Sequence, residues 1–459
     1  SPLEHRRRHV DALLGEFVHE LRHHAHAREV SDDALALAAA PTEHEEVLHE
    51  RRHAFETREF GHRLDAADAV VVAAHVHEQV DGREVFTLEG LEGPNGELHP
   101  IQQAFMVTGA LQSGYSAGAL MMVTKALLAA GITTARDAGG EFDFLVALRD
   151  AFNKRQANGP RLLLAGLVDA GGAAAFGHVT AETPEEGRQV VARYHAAGFQ
   201  QIKLYTFLAP DVVAAIADEA HRRGMSVTGH VPNALTTTQA IAAGMDQINH
   251  LRFVVGMMRP SATEGPAVEP ASEGAREAIA LLKARRTVVD PTIGWSGEMA
   301  GYASAVDVTA FEPAIVRAPF ALQERYRGNA TTTMTAAQME GRLTDLLNSL
   351  RVLHNAGVPI VPGTDTGLVG HGLHRELELY VRAGMTPLEA IRSATIVSAR
   401  SMGLEQESGS IEVGKRADLI LVEGNPLASI SNIRKVSRVV VNGRMFRSAD
   451  LWKSVGFRP

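Results

Sequence analysis

An α/β fold, a parallel barrel of alternating strands and helices beside a small β domain, is predicted by three features of the sequence. Helix-like stretches end in glycine at Ala129-Ala130-Gly131, Ala196-Ala197-Gly198, Arg222-Arg223-Gly224, Ala242-Ala243-Gly244 and Asn355-Ala356-Gly357, each followed within a few residues by a strand-like run. Glycine just past a helix end is the usual left-handed stop, so its recurrence marks successive β/α units. The runs themselves are short and apolar: Ile132–Ala135, Leu162–Ala165, Ile202–Tyr205, Ser226–His230, Gln247–Asn249, Thr287–Pro291 and Val358–Val361. Several stop on a residue that binds metals or moves protons, and in such barrels the chemistry sits at the carboxyl ends of the strands.

In chain order, residues 1–66 read as a helical extension rich in charge and histidine, with Leu13-Leu14, Phe17-Val18 and Leu21 at helical spacing. From Ala69 the texture becomes β-like. Ala69–Val80 and Arg83–Leu88 flank Asp81-Gly82, the strongest short hairpin signal a sequence carries. Phe105–Leu111 is a further apolar run, and Leu120–Ala130 a helix. Residues 67–112 should therefore hold the start of the β domain, the first barrel strand, or both. Residues 113–400 hold the rest of an eight-stranded (β/α)8, or TIM, barrel, whose eighth strand must come from before residue 120. Its last helix opens at Thr386-Pro387, a cap residue followed by proline at the first helical position. Residues 401–459 turn β again, through Gly409–Val422 and Val436–Val441 to a turn at Asn442-Gly443. These strands cannot bury a face alone and should pair with the 69–88 hairpin into a small flanking β-sandwich.

A chain of 459 residues, 45% hydrophobic and 22% charged, is ordinary for a globular protein. Its net charge of -9 argues against a nucleic-acid surface, and no apolar run reaches the length of a membrane span. With no cysteine, thiol catalysis and thiolate metal sites are excluded, leaving His, Asp, Glu and Lys as ligands. A small-molecule substrate and an assembly of identical subunits are expected. The compartment stays open: nothing present reads as a signal peptide and a cytoplasmic location is favoured, but the chain begins Ser1-Pro2 rather than Met, so a leader could have been removed.

Four strand-end residues carry the chemistry: Lys203 in Gln201-Ile202-Lys203-Leu204-Tyr205, His230 in Thr228-Gly229-His230, His250 in Ile248-Asn249-His250, and Asp365 in Gly363-Thr364-Asp365-Thr366-Gly367. A lysine inside an apolar strand needs a partner or a reaction, because charged side chains are almost never buried unpaired. With Thr133-Thr134-Ala135-Arg136-Asp137, Gly229-His230-Val231-Pro232-Asn233 and Gly414-Lys415-Arg416-Ala417-Asp418-Leu419, these phrases give residues 131–446 a resemblance to the metal-dependent amidohydrolase superfamily, in its prolidase-like and imidazolonepropionase-like branch. The resemblance implies that Lys203 is carboxylated and bridges divalent ions, that His230 and His250 hold one of them, and that Asp365 binds metal and shuttles a proton. It implies one or two divalent ions, zinc the first expectation, and hydrolysis of an amide or peptide-like C–N bond by metal-activated hydroxide. A dipeptide or an N-acyl amino acid would be the substrate.

The family's first strand ends in paired histidines. His75-Val76-His77 follows an apolar run and is the better candidate, but lacks the preceding Pro-Gly-Leu and the aspartate. The competing alignment, through Thr108–Ser116, puts Gly114 and Ser116 at those positions and deletes one metal site. His24-Ala25-His26 repeats the same pattern elsewhere. Tyr205, two residues past Lys203 on the same strand face, and His178, in a glycine- and alanine-rich loop, are candidate substrate contacts. His371 and His374 follow Asp365, and His374 reads equally well as the opening of a helix. Two other functions stay open: a metal-assisted lyase, isomerase or cyclase, and a non-catalytic relative lacking the first-strand pair.

Overall fold

The computed structural model describes residues 123–172, 175, 179–259, 268–294, 301–302, 305–320, 322–323, 326, 334–365 and 367–458. All of them belong to one compact unit, residues 92–459. The expected extension over 1–66, the 69–88 hairpin, His75, His77, Gly114, Ser116 and His178 lie outside the described residues.

The expected rhythm is present. Strands β1 (Thr134–Asp137), β2 (Arg161–Val168), β3 (Gln201–Leu204) and β4 (Ser226–Gly229) form a parallel sheet in sequential order. Strands β5 (Gln247–Asn249) and β6 (Val288–Asp290) pair in parallel, and Val289 bridges in parallel to Ile360 in the seventh predicted run. The Asp246 N–H donates to Val227 O at 2.9 Å, joining the start of β5 to β4. Sequentially ordered parallel neighbours are the strand order of a β/α barrel; the expected eighth strand, before residue 120, falls outside the described residues.

Between strands run the crossover helices α1 (Phe142–Asn153), α2 (Pro184–Ala196), α3 (Pro210–Arg222), α4 (Thr237–Ala242), α5 (Leu251–Met258), α6 (Glu273–Arg285) and α7 (Ala336–Asn355). Their starts are chemically specified. Thr183, Thr236 and Thr335 each close a capping box, and Pro184 and Pro210 occupy first helical positions where no N–H is missed. The five glycines that predicted helix ends all have positive φ, from 71° to 111°. Apolar residues of β2 to β5, among them Leu164, Ile202, Leu204, Val227 and Ile248, are fully buried beneath helix residues such as Val191, Val212 and Ile216.

The strand interior is polar. Arg136 of β1 donates to Gln201 Oε1 at 3.0 Å, to Gln247 Oε1, and to Asp290 Oδ2 at 3.1 Å. Asn249 Nδ2 donates to the same Asp290 oxygen at 3.0 Å, and Thr228 Oγ1 to Asn249 Oδ1 at 3.2 Å. This belt links β1, β3, β4, β5 and β6 below the strand ends. Burial pushes the Asp290 carboxyl up to about 6, opposed by the Arg136 charge.

Two helices of the barrel's final stretch start at His371 (α8, His371–Arg382) and Pro387 (α9, Pro387–Arg392), the second with its predicted Thr386 cap. Here one expectation is corrected: His374 lies in the second turn of a helix that has already begun, not at its opening. Beyond Arg400, strands β7 (Leu419–Val422), β8 (Val436–Val441) and β9 (Arg444–Arg447) form an antiparallel meander. Asn442 and Gly443, both at positive φ, make its tight turn. Among the described residues no helix is long and apolar enough to cross a membrane.

Candidate metal centre

Period-two alternation sends Gln201 and Lys203 to one face of β3, so the residue above the belt is the lysine. Lys203 is half-buried and makes no hydrogen bond or ion pair among the described residues. Desolvation pulls its amine below the usual lysine value, and the negative charge of Asp365 opposes that shift. Its Nζ lies 5.7 Å from the centroid of the Tyr205 ring.

His230 stands two residues beyond Thr228 of the belt and so faces the same interior. It is reached through Gly229, at φ 132°, where a Cβ would fall 2.2 Å from Leu204 O. His250 follows Asn249 directly, and strict alternation would send it to the opposite face. Its backbone, at φ 70° and ψ 119°, breaks the alternation, and its ring meets His230, Nε2 to Nε2 at 2.8 Å. Its Nδ1 lies 2.6 Å from Thr292 Oγ1 and 3.7 Å from Asp365 Oδ2. Tyr205 stacks on His230 with ring centroids 4.2 Å apart. Burial, then the mutual charge of the pair and of Lys203, pushes His230 down to about 3; burial pushes His250 down to about 4 against the attraction of Asp365.

Lys203 and Tyr205 of one predicted strand run, and His230, His250 and Asp365 of three others, are therefore brought together. Backbone strain marks the same place: His250, Thr292 and Asp365 all have positive φ, at 70°, 48° and 29°. For a β-branched residue such as Thr292 that is an outlier, and such strain clusters at functional sites. A cavity of about 600 Å³ lined by Phe199, Gln200, Ser226 and Asp246 opens instead at the amino ends of the strands and contains none of these five residues.

Three further residues escaped the reading of the sequence. Thr292 orients His250. Glu376 accepts hydrogen bonds from the Ile293 and Gly294 N–H groups at 3.0 and 2.7 Å and holds the loop that carries Thr292; burial pushes its carboxyl up to about 8. Asp169, at the end of β2, accepts from the Phe207 N–H at 2.7 Å and anchors the loop after Tyr205. Applying the strand-end rule to Val288-Val289-Asp290-Pro291-Thr292 would have found Thr292; nothing local in the sequence points to Glu376.

A sequence profile of the amidohydrolase family matches residues 69–446. The chain belongs to the amidohydrolase family. Ochratoxinase of Aspergillus niger is 27% identical over 253 residues, 55% of this chain and 43% of that protein. The chain thus spans less than half the length of that curated relative. Among solved structures, an Xaa-Pro dipeptidase with bound methionine aligns with a TM-score of 0.53 at 26% identity, over 75% of this chain and 79% of that one. A prolidase-like protein from Bifidobacterium longum aligns with a TM-score of 0.53 at 28% identity, over 73% and 79%.

Members of this family generally bind divalent metals, and the donors present fit such an ion in kind. Two imidazoles held neutral offer lone pairs, a depressed amine stands without a partner among the described residues, and a carboxylate adjoins them. Among the described residues no three His, Asp or Glu side chains close into a metal-sized cluster. The histidine pair instead takes itself as partner, one Nε2 donating and the other accepting.

Proposed function

We propose that this amidohydrolase is a divalent-metal hydrolase cleaving an amide or peptide-like C–N bond in a dipeptide or an N-acyl amino acid. The observation that carries the reading is Lys203, an amine with no hydrogen-bond or ion-pair partner among the described residues, opening onto the facing imidazoles of His230 and His250 and onto Asp365. Lys203 as its carbamate, His230, His250 and Asp365 would hold the metal, zinc being the first candidate, with His75 and His77 as the first-strand pair. When bound, a divalent ion lowers the pKa of water and polarises the scissile carbonyl. The chain's own residues do the rest. A hydrogen on His250 Nδ1 donated to Thr292 Oγ1 leaves Nε2 free to ligate. Tyr205 backs the His230 ring, and burial together with Asp365 raises its phenol, keeping it a protonated donor toward a substrate oxygen. Asp365 accepts the proton of the attacking water and returns it to the departing amine. His178 would contact the substrate from its loop. The small β-sandwich and the 1–66 extension complete the proposed domain plan.

The test joins metal content to turnover. The full chain, purified without chelator, should contain divalent metal by elemental analysis and hydrolyse members of a dipeptide and N-acyl amino acid panel. Lys203→Ala should lose both. Two equivalents of metal, falling in His75→Ala, would support the first-strand pair; one equivalent indifferent to that change would remove His75 from the site. A metal-replete chain inert on the whole panel would favour lyase, isomerase or cyclase chemistry, and a metal-free, inert chain a non-catalytic relative.

A further inference from the structure

Three largely buried arginines among the described residues pair with carboxylates: Arg136 with Asp290, Arg375 with Glu378, and Arg434 with Glu312 and Glu378. Arg252 does not. It sits in the first turn of α5, two residues past His250, exposed, with no hydrogen bond or ion pair among the described residues. Its guanidinium carbon lies 4.7 Å from the centroid of the Phe253 ring. That ring lies 5.8 Å from the His230 ring and 6.3 Å from the His250 ring. The arginine is thus held on an aromatic wall of the candidate centre, close enough for its charge to act on Tyr205, His230 and His250.

A free cation beside a site built for a positive ion adds repulsion, which an anionic occupant relieves. The guanidinium fork matches a carboxylate in two parallel hydrogen bonds, and its stacking on Phe253 fixes its plane. The same rim carries Phe207, 44% exposed on the loop after Tyr205 and pinned there by Asp169. Resting on the hydrolase reading above, we infer that Arg252 is a specificity-determining residue that binds the free carboxylate of an N-acyl amino acid or dipeptide, with the apolar side chain of that substrate against Phe207 and Phe253.

Two compounds isolate the carboxylate: N-acetyl-L-phenylalanine and N-acetyl-2-phenylethylamine, which shares the amide and the ring and lacks only the acid. Calorimetric binding to the full chain as purified should favour the acid by about 10- to 100-fold, the range of charge-assisted hydrogen bonds. Arg252→Met should erase that preference and Arg252→Lys restore part of it. Equal affinities in the parent, no binding of the acid, or a preference that survives Arg252→Met would overturn the assignment. Turnover is scored separately. A parent that discriminates the pair and hydrolyses neither would count against the hydrolase reading while the carboxylate site stands.

Discussion

Two pairs of histidines in this chain resemble one another in ring geometry and in the direction in which burial moves their pKa values. His230 and His250 meet with ring centroids 4.7 Å apart, and His371 and His374 with centroids 5.7 Å apart, both at 66° between planes. All four are held neutral by burial, His371 pushed down to about 2 and His374 to about 4. Their surroundings differ. His374 Nε2 is fixed on Ala130 O at 2.9 Å, and His371 lies flat against Trp452, centroids 4.5 Å apart, with Phe457 behind. The strand-end pair has its Nε2 atoms turned to each other, an open lysine beside it and strained backbone around it. A depressed histidine therefore marks burial; the direction of its lone pair and the partners left over mark a ligand.

The sharpest way to break this distinction is to remove one residue from each place. Lys203→Ala should lower turnover by on the order of a thousandfold with little change in melting behaviour. His374→Ala should do the reverse. It leaves the buried Ala130 carbonyl unsatisfied and opens a void in the packing, a loss of about 2–4 kcal/mol read by denaturant unfolding. If His374→Ala abolished metal content while sparing stability, the two pairs would have to be exchanged.

Acid separates them by less. The unfolded chain protonates histidine near 6.5, whereas His371 and His374 resist until about 2 and about 4. Stability conferred by neutral burial is full above 6.5 and declines as the pH falls below it, by ~2 kcal/mol per histidine at pH 5. The metal-free strand-end pair should contribute a similar slope. Replacing His371 and His374 together should flatten the loss of stability between about pH 6.5 and 5, and an unchanged slope would mean that these rings are protonated in the native chain.

Much of this was legible in the sequence because it is periodic. Glycines after helices and short apolar runs report the β/α alternation directly, and Lys203, His230, His250 and Asp365 stand out as polar residues where runs end. The rest depends on the third dimension. Gln201 and Gln247 look like solvent-facing strand residues and are in fact buried beneath Arg136. His374 looks like a helix opener because its acceptor, Ala130, is 244 positions away. His250 breaks strand alternation through a backbone angle that no residue pattern around it encodes.

Thr292 gives the finest test, since it is the residue that makes the strand-end pair directional. Its hydroxyl is the only feature that Thr292→Val removes while keeping the β-branch, so the backbone cost of φ 48° is unchanged in the variant. Metal affinity should fall by about tenfold, the scale of lost support behind a ligating imidazole, with Thr292→Ser retaining most of it. Thr292→Gly goes the other way on stability. It relieves the positive φ and should stabilise the fold by about 1 kcal/mol while weakening the metal as much as valine does. The strain persists because the Glu376 carboxyl grips the next two N–H groups and the His250 and Leu251 N–H groups bond to Asp290 O and Pro291 O. If Thr292→Gly left both stability and metal affinity unchanged, the angle would be incidental, and the orientation of His250 would have to come from Asp365 alone.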